Sequence, residues 1–529
     1  MERIATAFCS FELLRKRYTY IDKTDLLGRL VSDSEDRIFF ISRPRRFGKS
    51  LMLDTLKCIF EGRRDLFKGL KIEKRRYDWK KYPVVMLDMS SMKGETPDEL
   101  KANIQASVAE LAARFGCGKV QRQCTSPGKT FGSFLDALYA KGGEYVVLVD
   151  EYDVPLQGFL GDAKAVKRVR AILHDFYMQL KTHSGQMRFL MMTGVTKLTR
   201  MSVFSGLNNL KDLTMSGRYA TLFGYTPTEI EAAYPKRLDA FARKQGTDRE
   251  GALRKLLDWY DSYRFSPDSA KRVCNPISIG LALESGILQS YWVRTASATL
   301  VMERMAAAGK TPADFEGCTA TVSELDVCDA LELPAKALMY QSGYLTIKGL
   351  SKTEVDEVGN PKLVLGAPNH EVRGAIRSGW FNSVIRVPAT EFDALADVAK
   401  RQVAAGDLGG LVGESLYRIY AKIPPEWRIR SEADVKRHFR LFMEMLGAKV
   451  AAEEGSAFGY ADAIIETRKS VWIFEFKFNK SASAAVRQIR EKRYADPYKG
   501  DRRPVTLVGI NFRLTKRNID EPVFERLRS

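Results

Sequence analysis

The sequence predicts an α/β protein with a parallel sheet in its first part, a helical and winged-helix-like middle region, and a second, smaller α/β unit at its C-terminal end. Two observations lead to this prediction: short apolar runs alternate with helical patterns over the first 225 residues, and a similar alternation returns in the last hundred. Such alternation is typical of sheets covered by helices. We place the domains at residues 1–225, 226–310, 311–423 and 424–529.

Five apolar runs predict the strands of the first sheet. Each run is rich in Val, Ile, Phe, Leu or Met and is apolar throughout rather than alternating, as expected for strands buried on both faces of a parallel sheet. The runs are Ile38–Ser42, Val84–Asp88, Tyr145–Asp150, Phe189–Thr193 and Tyr219–Phe223. Helical patterns lie between them, for instance at Leu51–Phe60, Pro97–Arg114 and Ala163–His183.

The middle of the chain is mostly helical from residue 226 to about residue 309. Val322–Tyr340 then predicts a helix, which is followed by two short strand patterns, QSGYLTI and KLVLGAP. This order favours a small winged-helix-like module. A further helical section, Asn369 to about Ile423, ends at Pro424-Pro425, where we place a boundary because consecutive prolines stop a helix.

The last hundred residues predict the second α/β unit. Glu432–Leu446 and Ala484–Tyr494 have helical periodicity. The predicted strands are Lys449–Ala452, Ala461–Glu466, Val471–Phe478 and Val505–Ile510.

Composition excludes several classes of protein. With 45% apolar and 28% charged residues among 529, the chain is neither collagen-like nor wholly disordered. No apolar run approaches the roughly 20 residues that a membrane span needs, and the start lacks a signal-peptide pattern, so we expect a cytoplasmic protein without membrane contact. The 7 Cys and 4 His have no spacing typical of a disulfide framework or a zinc site. A net charge of +19 favours a polyanionic partner such as nucleic acid.

A first candidate site lies between a predicted strand and a predicted helix, in the segment Arg43-Pro-Arg-Arg-Phe-Gly-Lys-Ser50. Backbone N–H groups at a helix N-terminus bind phosphates, and a glycine lets the backbone approach them closely. Lys49 would reach the β- and γ-phosphates, and the Ser50 hydroxyl would bind Mg²⁺. The usual first glycine of this motif is replaced by Arg43. We assign nucleotide binding to Phe47, Gly48, Lys49, Ser50, Leu51 and Asp150.

The third predicted strand supplies the carboxylates that a nucleotide site needs. Asp150 ends the strand, where it would meet Mg²⁺ at the carboxyl edge of the sheet, and Glu151 is suited to orient an attacking water. Thr193 ends the next strand and could sense the γ-phosphate or position water, although an ordinary strand-ending threonine fits its position equally well. Arg200 is a candidate for the arginine that stabilises the transition state, on proximity in sequence alone.

A second candidate site lies near the C-terminal end. Glu475 and Lys477 are two residues apart in a strongly apolar strand and therefore share one face of it. With Asp462 upstream, Glu475 would hold Mg²⁺ and Lys477 would position or activate water, which is the equipment for metal-assisted phosphodiester hydrolysis. Glu454, or Glu432 or Asp434 on the preceding helix, could complete the metal site or steer the substrate. Gln488 and Tyr494 lie on the following helix with a basic face that suits phosphate contacts, formed by Arg487, Arg490, Lys492 and Arg493.

With both sites in hand, the chain resembles a group of microbial proteins that join an AAA-ATPase-like domain to a C-terminal PD-(D/E)xK nuclease-superfamily domain. The resemblance is nearly end to end. It rests on YIDKT (20–24), RPRRFGKS (43–50), VDEYD (149–153), TGVTK (193–197), FSGLNNL (204–210), YRF (263–265), NP (275–276), QSGYL (341–345), PNHEV (368–372), the G-x-x-D of 459–462, EFK (475–477) and QI (488–489).

The resemblance implies a P-loop NTPase sheet and a PD-(D/E)xK nuclease-like C-terminal domain. It implies ATP contacts at Gly48, Lys49 and Ser50, with Asp150 and Glu151 on the metal and water. It implies nuclease residues at Asp462, Glu475 and Lys477, supported by Gln488. Similar proteins usually carry an arginine after the glycine of the G-x-x-D motif, and this chain has Tyr460 there.

We therefore expect an ATPase that uses ATP and Mg²⁺ and is coupled to a metal-dependent nuclease domain, with nucleic acid, DNA before RNA, as its partner. Homo-oligomerisation stays open. An alternative is a nucleotide-switched signalling or scaffold ATPase whose nuclease-like domain is inactive and only binds nucleic acid. A third reading is an ATPase that binds nucleic acid through the winged-helix-like module.

Overall fold

The computed structural model describes residues 2–7, 10–32, 36–118, 125–197, 210–292, 301–302, 304–305, 310–326, 334–385, 389–423, 429–445, 450–451, 455–456, 459–467 and 469–527. The chain divides into two units. The first unit comprises Met1–Ala296 and Phe315–Arg373, and the second comprises Ser297–Asp314 and Gly374–Ser529. The four predicted domains stay a prediction, and their boundaries differ from those of the two units, since residues 311–423 belong partly to each unit.

A parallel sheet forms the centre of the first unit, and the predicted α/β class is confirmed. Its strands are β1 (Ile38–Ser42), β2 (Val84–Asp88), β3 (Tyr145–Asp150), β4 (Met187–Gly194) and β5 (Lys211–Asp212). They lie in the order β2-β3-β4-β1-β5 and all pair in parallel. β1 and β3 are buried along their whole length, as their unbroken apolar sequences predict.

The fifth predicted strand, Tyr219–Phe223, is wrong. Gly217–Tyr219 is a short 3₁₀ helix that continues into turns, and the fifth strand of the sheet is the polar pair Lys211–Asp212. The apolar side chains of this segment are nevertheless buried. A short apolar run reports burial, and it does not distinguish a strand from a buried turn.

Helices flank this sheet and extend beyond it. They are α1 (Phe11–Arg17), α2 (Thr24–Ser32), α3 (Lys49–Phe60), α4 (Pro97–Arg114), α5 (Pro127–Gly142), α6 (Val154–Gln157), α7 (Ala163–Thr182), α8 (Pro227–Ala233), α9 (Pro235–Lys244), α10 (Arg249–Tyr260) and α11 (Pro276–Ser285). Several begin with the capping chemistry that the sequence offers. Thr96 and Ser126 accept backbone N–H groups at the starts of α4 and α5, each followed by a proline in the first turn.

The first unit also contains a small antiparallel sheet. The predicted strand KLVLGAP lies largely in this sheet, whereas of the predicted strand QSGYLTI only Thr346 and Ile347 are in a strand, because Gln341 and Ser342 end a helix. A three-stranded antiparallel sheet has the order β6-β8-β7, with β6 (Thr319–Ala320), β7 (Thr346–Val355) and β8 (Pro361–Gly366). Within the predicted helix Val322–Tyr340, the described helical stretches are α12 (Val322–Leu325) and α13 (Ala335–Ser342). The residues 327–333 between them lie outside the described part of the chain.

The second unit is built around a mixed sheet. Its helical segments, the first of which begins in the preceding unit, are α14 (His370–Ile385), α15 (Ala389–Ala405), α16 (Leu408–Gly410), a π-helical turn at Leu411–Leu416, α17 (Tyr417–Ala421), α18 (Glu432–Met445) and α19 (Ala482–Glu491). Its strands are β9 (Val450–Ala451), β10 (Gly455–Ser456), β11 (Gly459–Tyr460), β12 (Ala463–Glu466), β13 (Val471–Phe478), β14 (Val505–Arg513), β15 (Asn518–Ile519) and β16 (Val523–Arg526). The predicted boundary at Pro424-Pro425 lies outside the described residues.

The strand β13 is central to this second sheet, whose order is β15-β14-β13-β12-β9 with β16 also paired to β14. It runs parallel to β14 and antiparallel to β12. Helix α18 packs on its aromatic side, where the ring of Phe439 lies 4.8 Å from the rings of both Phe474 and Phe476. Helix α19 packs on β14 so closely that a Cβ at Gly509 would lie 2.1 Å from the carbonyl oxygen of Ala482. Both faces of β13 are therefore fixed by packing.

In the part of the chain that the structure describes, none of the helices combines the length and the apolar character needed to cross a bilayer.

Candidate nucleotide and metal sites

The segment Arg43–Ser50, which we call the loop, connects β1 to α3. Gly48 precedes the helix with φ of 93°, a left-handed conformation that favours glycine, and a Cβ there would meet no atom within 4 Å. Within the described part of the chain, none of the side chains caps the N-terminus of α3, and the first turn of this helix carries no acidic residue. The N–H groups of this helix end are therefore left for an anion.

Lys49 is buried inside the loop. Its Nζ donates to the carbonyl oxygens of Arg43 and Pro44 at 3.0 and 3.1 Å. Burial lowers the pKa of Lys49, and the charges of Asp150, Asp153 and Glu151 oppose that shift. The ammonium group is thus held by neutral carbonyl groups near the carboxyl edge of the sheet, a placement that suits contact with a phosphate.

Arg43, at the position of the missing glycine, is 1% exposed. Its Nη1 donates to the carbonyl oxygens of Ser42 and Thr214, and its guanidinium lies 4.2 Å from the ring centroid of Phe265. Among the described residues, Nε and Nη2 have no hydrogen-bond partner. Burial lowers the pKa of Arg43 to about 10. The ring of Phe47 packs beside this arginine's neighbour Phe265, with centroids 5.4 Å apart, so aromatic packing and a buried cation brace the loop.

Asp150 and Thr193 end adjacent strands and bind each other. The Oγ1 of Thr193 donates to Oδ1 of Asp150 at 2.6 Å, and both residues are buried. Glu151 follows with φ of 52°, half-buried, and its N–H donates to the same Oδ1 at 3.0 Å. Burial, followed by the charge of Asp150, raises the pKa of Glu151. The structure brings these three predicted residues together at the carboxyl edge of the sheet.

Asp153 has a structural task that sequence reasoning did not assign. It is fully buried, and its carboxylate accepts the N–H groups of Val195 and Thr196 and the hydroxyl of Thr196. The phenol of Tyr152 adds a hydrogen bond to the carbonyl oxygen of Thr196 at 2.9 Å. These contacts fasten the segment after β3 to the segment after β4, which fixes the positions of Asp150 and Thr193.

A cavity of about 510 Å³ opens at the loop, within the range of roughly 300–1,000 Å³ typical of small-molecule sites. Its polar end is formed by Gly48, Lys49, Ser50, Lys93 and Glu151. Phe47 and Leu51, for which nucleotide binding stays a prediction, also line the cavity. Other wall residues come from α3 and α6 and from two regions that sequence reasoning missed. These two regions are the N-terminal residues up to α2 and the segments around α8 and α11, and they include Ala5, Tyr20, Ile21, Phe223, Tyr225 and Ile277. The YIDKT segment was the signal for the first of these regions.

The winged-helix-like module is tied to the residues just after Thr193. The N–H of Lys197 donates to Oε1 of Gln341 on α13, and its ammonium group forms ion pairs with Asp212 and Asp326. Gly343, which ends α13, abuts Pro44 of the loop, since a Cβ there would lie 2.6 Å from Pro44. Residues 337–341 of α13 are all buried. Arg200, the candidate transition-state arginine, lies outside the described residues.

In the second unit, three carboxylates converge. Each of Glu432, Asp462 and Glu475 offers an oxygen within 4.8 Å of the others, and we call them the acidic cluster. Glu432 begins α18, Asp462 precedes β12, and Glu475 lies on β13. The second oxygen of Asp462 accepts the N–H of Phe476 at 2.8 Å. Of the competing helix carboxylates, Asp434 instead accepts from Ser431 and the N–H of Arg430. The geometry therefore selects Glu432.

Two lysines contact the acidic cluster. Nζ of Lys477 lies 3.0 Å from Oε1 of Glu475 and 3.5 Å from Oε1 of Glu432. Nζ of Lys436, which sequence reasoning did not single out, lies 2.6 Å from Oδ1 of Asp462 and 3.3 Å from Oε1 of Glu432. Lys436 follows Glu432 by one helical turn, a spacing that places both on one face of α18.

Glu475 fits a metal ligand by its surroundings. It is 1% exposed, and its Oε2 has no hydrogen-bond partner among the described residues. Burial, and then the charge of Asp462, raises the pKa of Glu475 to about 7. A buried acceptor without a partner is costly unless a ligand satisfies it, and three carboxylates are the hard oxygen donors that Mg²⁺ prefers. The residues present therefore fit a divalent cation.

Among the described residues, none of the hydrogen bonds or ion pairs joins the predicted residues of α19 to the acidic cluster. Gln488 is half-buried on this helix. The predicted basic face of α19 is partly neutralised, because Arg490 forms an ion pair with Glu525 and Arg493 with Asp496. Tyr494 is buried in the core cluster that includes Val486 and Ile489. Glu454 lies outside the described residues.

Comparisons with known proteins bear on both sites. Residues 6–204 match the family model described as "Predicted AAA-ATPase", and residues 430–522 match the model of the PD-(D/E)XK nuclease superfamily. The "Uncharacterized protein in vnfD 5′region" of Azotobacter chroococcum mcd 1 is 31% identical over 529 residues, spanning 96% of each chain.

Solved structures of the Aeropyrum pernix ORC1 protein in complex with DNA and of the ORC2 protein as ADPNP–ADP complexes were also found. The first is 12% identical and covers 72% of this chain and 97% of that one, and the second is 13% identical and covers 68% and 92%. Both have a TM-score of 0.26, which is too low to support any conclusion about the fold or function of this chain.

The parallel sheet with its loop and the acidic cluster of the second sheet define a class of protein, an ATPase-like domain combined with a nuclease-superfamily domain. The chain belongs to the family that joins a predicted AAA-ATPase domain to a C-terminal PD-(D/E)XK nuclease-superfamily domain.

Proposed function

We propose that this protein is an Mg²⁺-dependent ATPase whose second unit is a metal-dependent nuclease acting on nucleic acid, with DNA as the first substrate to test. The observation that supports it most is the convergence of Glu432, Asp462 and Glu475 around a buried, unpartnered carboxylate oxygen, with Lys477 in contact. A site that had lost its catalytic activity would have no need of this arrangement, because charged groups are costly to bury.

For the ATPase half, the loop would bind the triphosphate through the N–H groups at the start of α3 and through Lys49. Ser50 and Asp150 would hold Mg²⁺, and Thr193 keeps Asp150 oriented through its 2.6 Å hydrogen bond. Glu151 would orient the attacking water. The raised pKa of Glu151 makes it a better proton acceptor than an exposed glutamate.

For the nuclease half, Glu432, Asp462 and Glu475 would hold the divalent ion, which when bound supplies electrostatic stabilisation and activation of water. Lys477 is held against Glu475 at 3.0 Å, where its ammonium group would orient the attacking water and stabilise charge on the phosphate.

Helix α13 argues against nucleic-acid binding through the winged-helix-like module. Its residues 337–341 are buried within the first unit, whereas a helix that reads a DNA groove must present side chains to the base edges. We therefore assign nucleic acid to the second unit.

The test is an assay of the full-length protein for ATP hydrolysis and for cleavage of DNA and RNA, with and without Mg²⁺. We expect Lys49→Ala to abolish hydrolysis of ATP, and Lys477→Ala to abolish cleavage while ATP hydrolysis continues. If the wild-type protein cleaves none of the nucleic acids at any metal concentration, the nuclease half is wrong. If Lys49→Ala still hydrolyses ATP at the wild-type rate, the assignment of the loop is wrong.

A further inference from the structure

Lys436 lies on the oxygen of Asp462 that a metal ion would need. One oxygen of Asp462 is engaged by the N–H of Phe476 at 2.8 Å, and the other lies 2.6 Å from Nζ of Lys436. The same ammonium group lies 3.3 Å from Oε1 of Glu432. Lys436 therefore joins two of the three members of the acidic cluster, as a bound cation would.

The two lysines of the cluster differ in their freedom to move. The side chain of Lys477 is 7% exposed, and its Nζ also donates to the carbonyl oxygen of Phe476 at 2.9 Å. The side chain of Lys436 is 34% exposed, and it stands on the surface of α18. A long side chain of this kind can turn its charged end into water at little cost. Lys477 has no such route.

The balance of charge requires one lysine to leave when a metal ion arrives. Three carboxylates face two ammonium groups in this partly buried site. A divalent ion bound to the same oxygens would meet both ammonium groups at contact distance, and repulsion between like charges is strong where water is partly excluded. Moving Lys436 into water relieves this repulsion and frees Oδ1 of Asp462.

We propose that Lys436 is an exchangeable counter-cation: it neutralises Asp462 and Glu432 in the metal-free protein and is displaced into solvent when a divalent ion binds the acidic cluster. The inference rests on the proposed function, because it requires the cluster to bind metal. One consequence is that Lys436 sets the metal concentration at which the site is half-occupied. Another is that Lys436 reduces the repulsion between the carboxylates of the acidic cluster in the metal-free protein.

The first experiment measures Mn²⁺ binding to the full-length protein by calorimetry. Lys436→Met is compared with wild type and with Lys516→Met, which removes a lysine of equal charge from another i,i+4 ion pair, 2.9 Å from Asp520. We expect Lys436→Met to bind Mn²⁺ at least about tenfold more tightly, and Lys516→Met to match wild type. Glu475→Gln should lose the binding, which locates the ion at the cluster.

Equal affinities for wild type and Lys436→Met would overturn the proposal and leave the proposed function standing. Absence of Mn²⁺ binding in all of these proteins would overturn both. Retained binding in Glu475→Gln would place the ion elsewhere and also overturn the proposal.

The second experiment reads the displacement itself. Acetylation of lysines in the wild-type protein is followed by mass spectrometry with and without saturating Mg²⁺. The labelling rate of Lys436 should rise several-fold on metal binding, while that of buried Lys477 stays low and that of Lys516 is unchanged. A rate for Lys436 that does not rise at saturating metal would show that the lysine stays in place, against the proposal.

Discussion

The candidate nucleotide site of the first unit and the acidic cluster of the second differ in how their charged groups are held. In the first, the cation and the carboxylate are held by neutral groups: Lys49 by two carbonyl oxygens and Asp150 by the hydroxyl of Thr193. In the second, lysines contact the carboxylates directly, Lys477 at Glu475 and Lys436 at Asp462. The first arrangement leaves its charges available to a ligand that carries both a metal and phosphates. The second must exchange a charge when a metal ion enters.

The two units also contain buried glutamates whose pKa is raised to about 7, in both cases mainly by burial, but whose hydrogen-bond partners differ. Glu371 accepts the N–H groups of Tyr291 and Trp292 and the hydroxyl of Ser278, and burial outweighs these three donors. Glu475 has a lysine on one oxygen, and its other oxygen has no hydrogen-bond partner among the residues that the structure describes. Because its oxygens accept these three hydrogen bonds, Glu371 is a structural carboxylate that anchors Trp292. The indole N–H of Trp292 in turn donates to the carbonyl oxygen of Arg45 in the loop. The second oxygen of Glu475 is instead the feature that supports its proposed role as a metal ligand.

The largest effect is expected from Arg43→Gly, which restores the usual first glycine of the loop. It removes a buried guanidinium that contacts Phe265 and Thr214, so the free energy of unfolding should fall by about 2–4 kcal/mol. Thermal unfolding checks this, and Arg43→Met, which keeps most of the volume, should lose less. If the glycine variant is as stable as wild type and binds ATP more tightly, Arg43 does not brace the loop.

Glu151→Gln should slow ATP hydrolysis by about 100-fold, because the amide cannot take a proton from water, while ATP binding is retained. Single-turnover hydrolysis and equilibrium nucleotide binding separate the two effects. The exposed Glu95→Gln is the control, with both quantities expected at the wild-type level. Fast hydrolysis by Glu151→Gln would remove Glu151 from the chemistry.

Thr193→Val should lower ATP hydrolysis by about tenfold, since it removes the hydroxyl that orients Asp150 while keeping the shape of the side chain. The Mg²⁺ concentration for half-maximal hydrolysis should rise as well. Thr130→Val, another buried threonine, on α5, should leave both quantities unchanged. An unchanged Mg²⁺ dependence in Thr193→Val would mean that Asp150 needs no orienting partner.

The smallest effect is expected from Glu371→Gln and depends on pH. The folded protein raises the pKa of Glu371 above the unfolded value, so its stabilising contribution is present at low pH and is lost as the pH rises through about 7. Between pH 5 and pH 8, the free energy of unfolding of the wild-type protein should therefore fall by roughly 1 kcal/mol or more relative to that of Glu371→Gln. Unfolding of both proteins across this range checks it. A constant difference would contradict the raised pKa.

Much of the fold followed from the sequence because its signals are local. Unbroken apolar runs identified β1 to β4, and alternation along β13 placed Glu475 and Lys477 on one face, where they contact each other. The strand Lys211–Asp212 was missed because it is two polar residues long, held in the sheet by backbone pairing with β1. The apolar run at 219–223 was then wrongly assigned as the fifth strand, because a buried turn has the same apolar pattern.

Contacts between distant segments could not be read from the sequence. Nothing in the local pattern shows that Lys197 reaches Gln341, 144 residues away, or that Lys436 lies on Asp462. The choice of Glu432 over Asp434 depended on the direction of the first turn of α18, which periodicity leaves undetermined. Residue types and strand ends therefore predicted the positions of the two candidate sites. Tertiary packing determines which further residues contact them.

The measurement that tests the central claim most directly is a comparison of Lys49→Ala and Glu475→Gln for both ATP hydrolysis and metal-dependent cleavage of nucleic acid. If the two sites are separate, Lys49→Ala should lose ATP hydrolysis yet still bind Mn²⁺ at the acidic cluster. Glu475→Gln should lose Mn²⁺ binding and cleavage of nucleic acid yet still hydrolyse ATP. Loss of ATP hydrolysis in Glu475→Gln, or of Mn²⁺ binding at the cluster in Lys49→Ala, would contradict it.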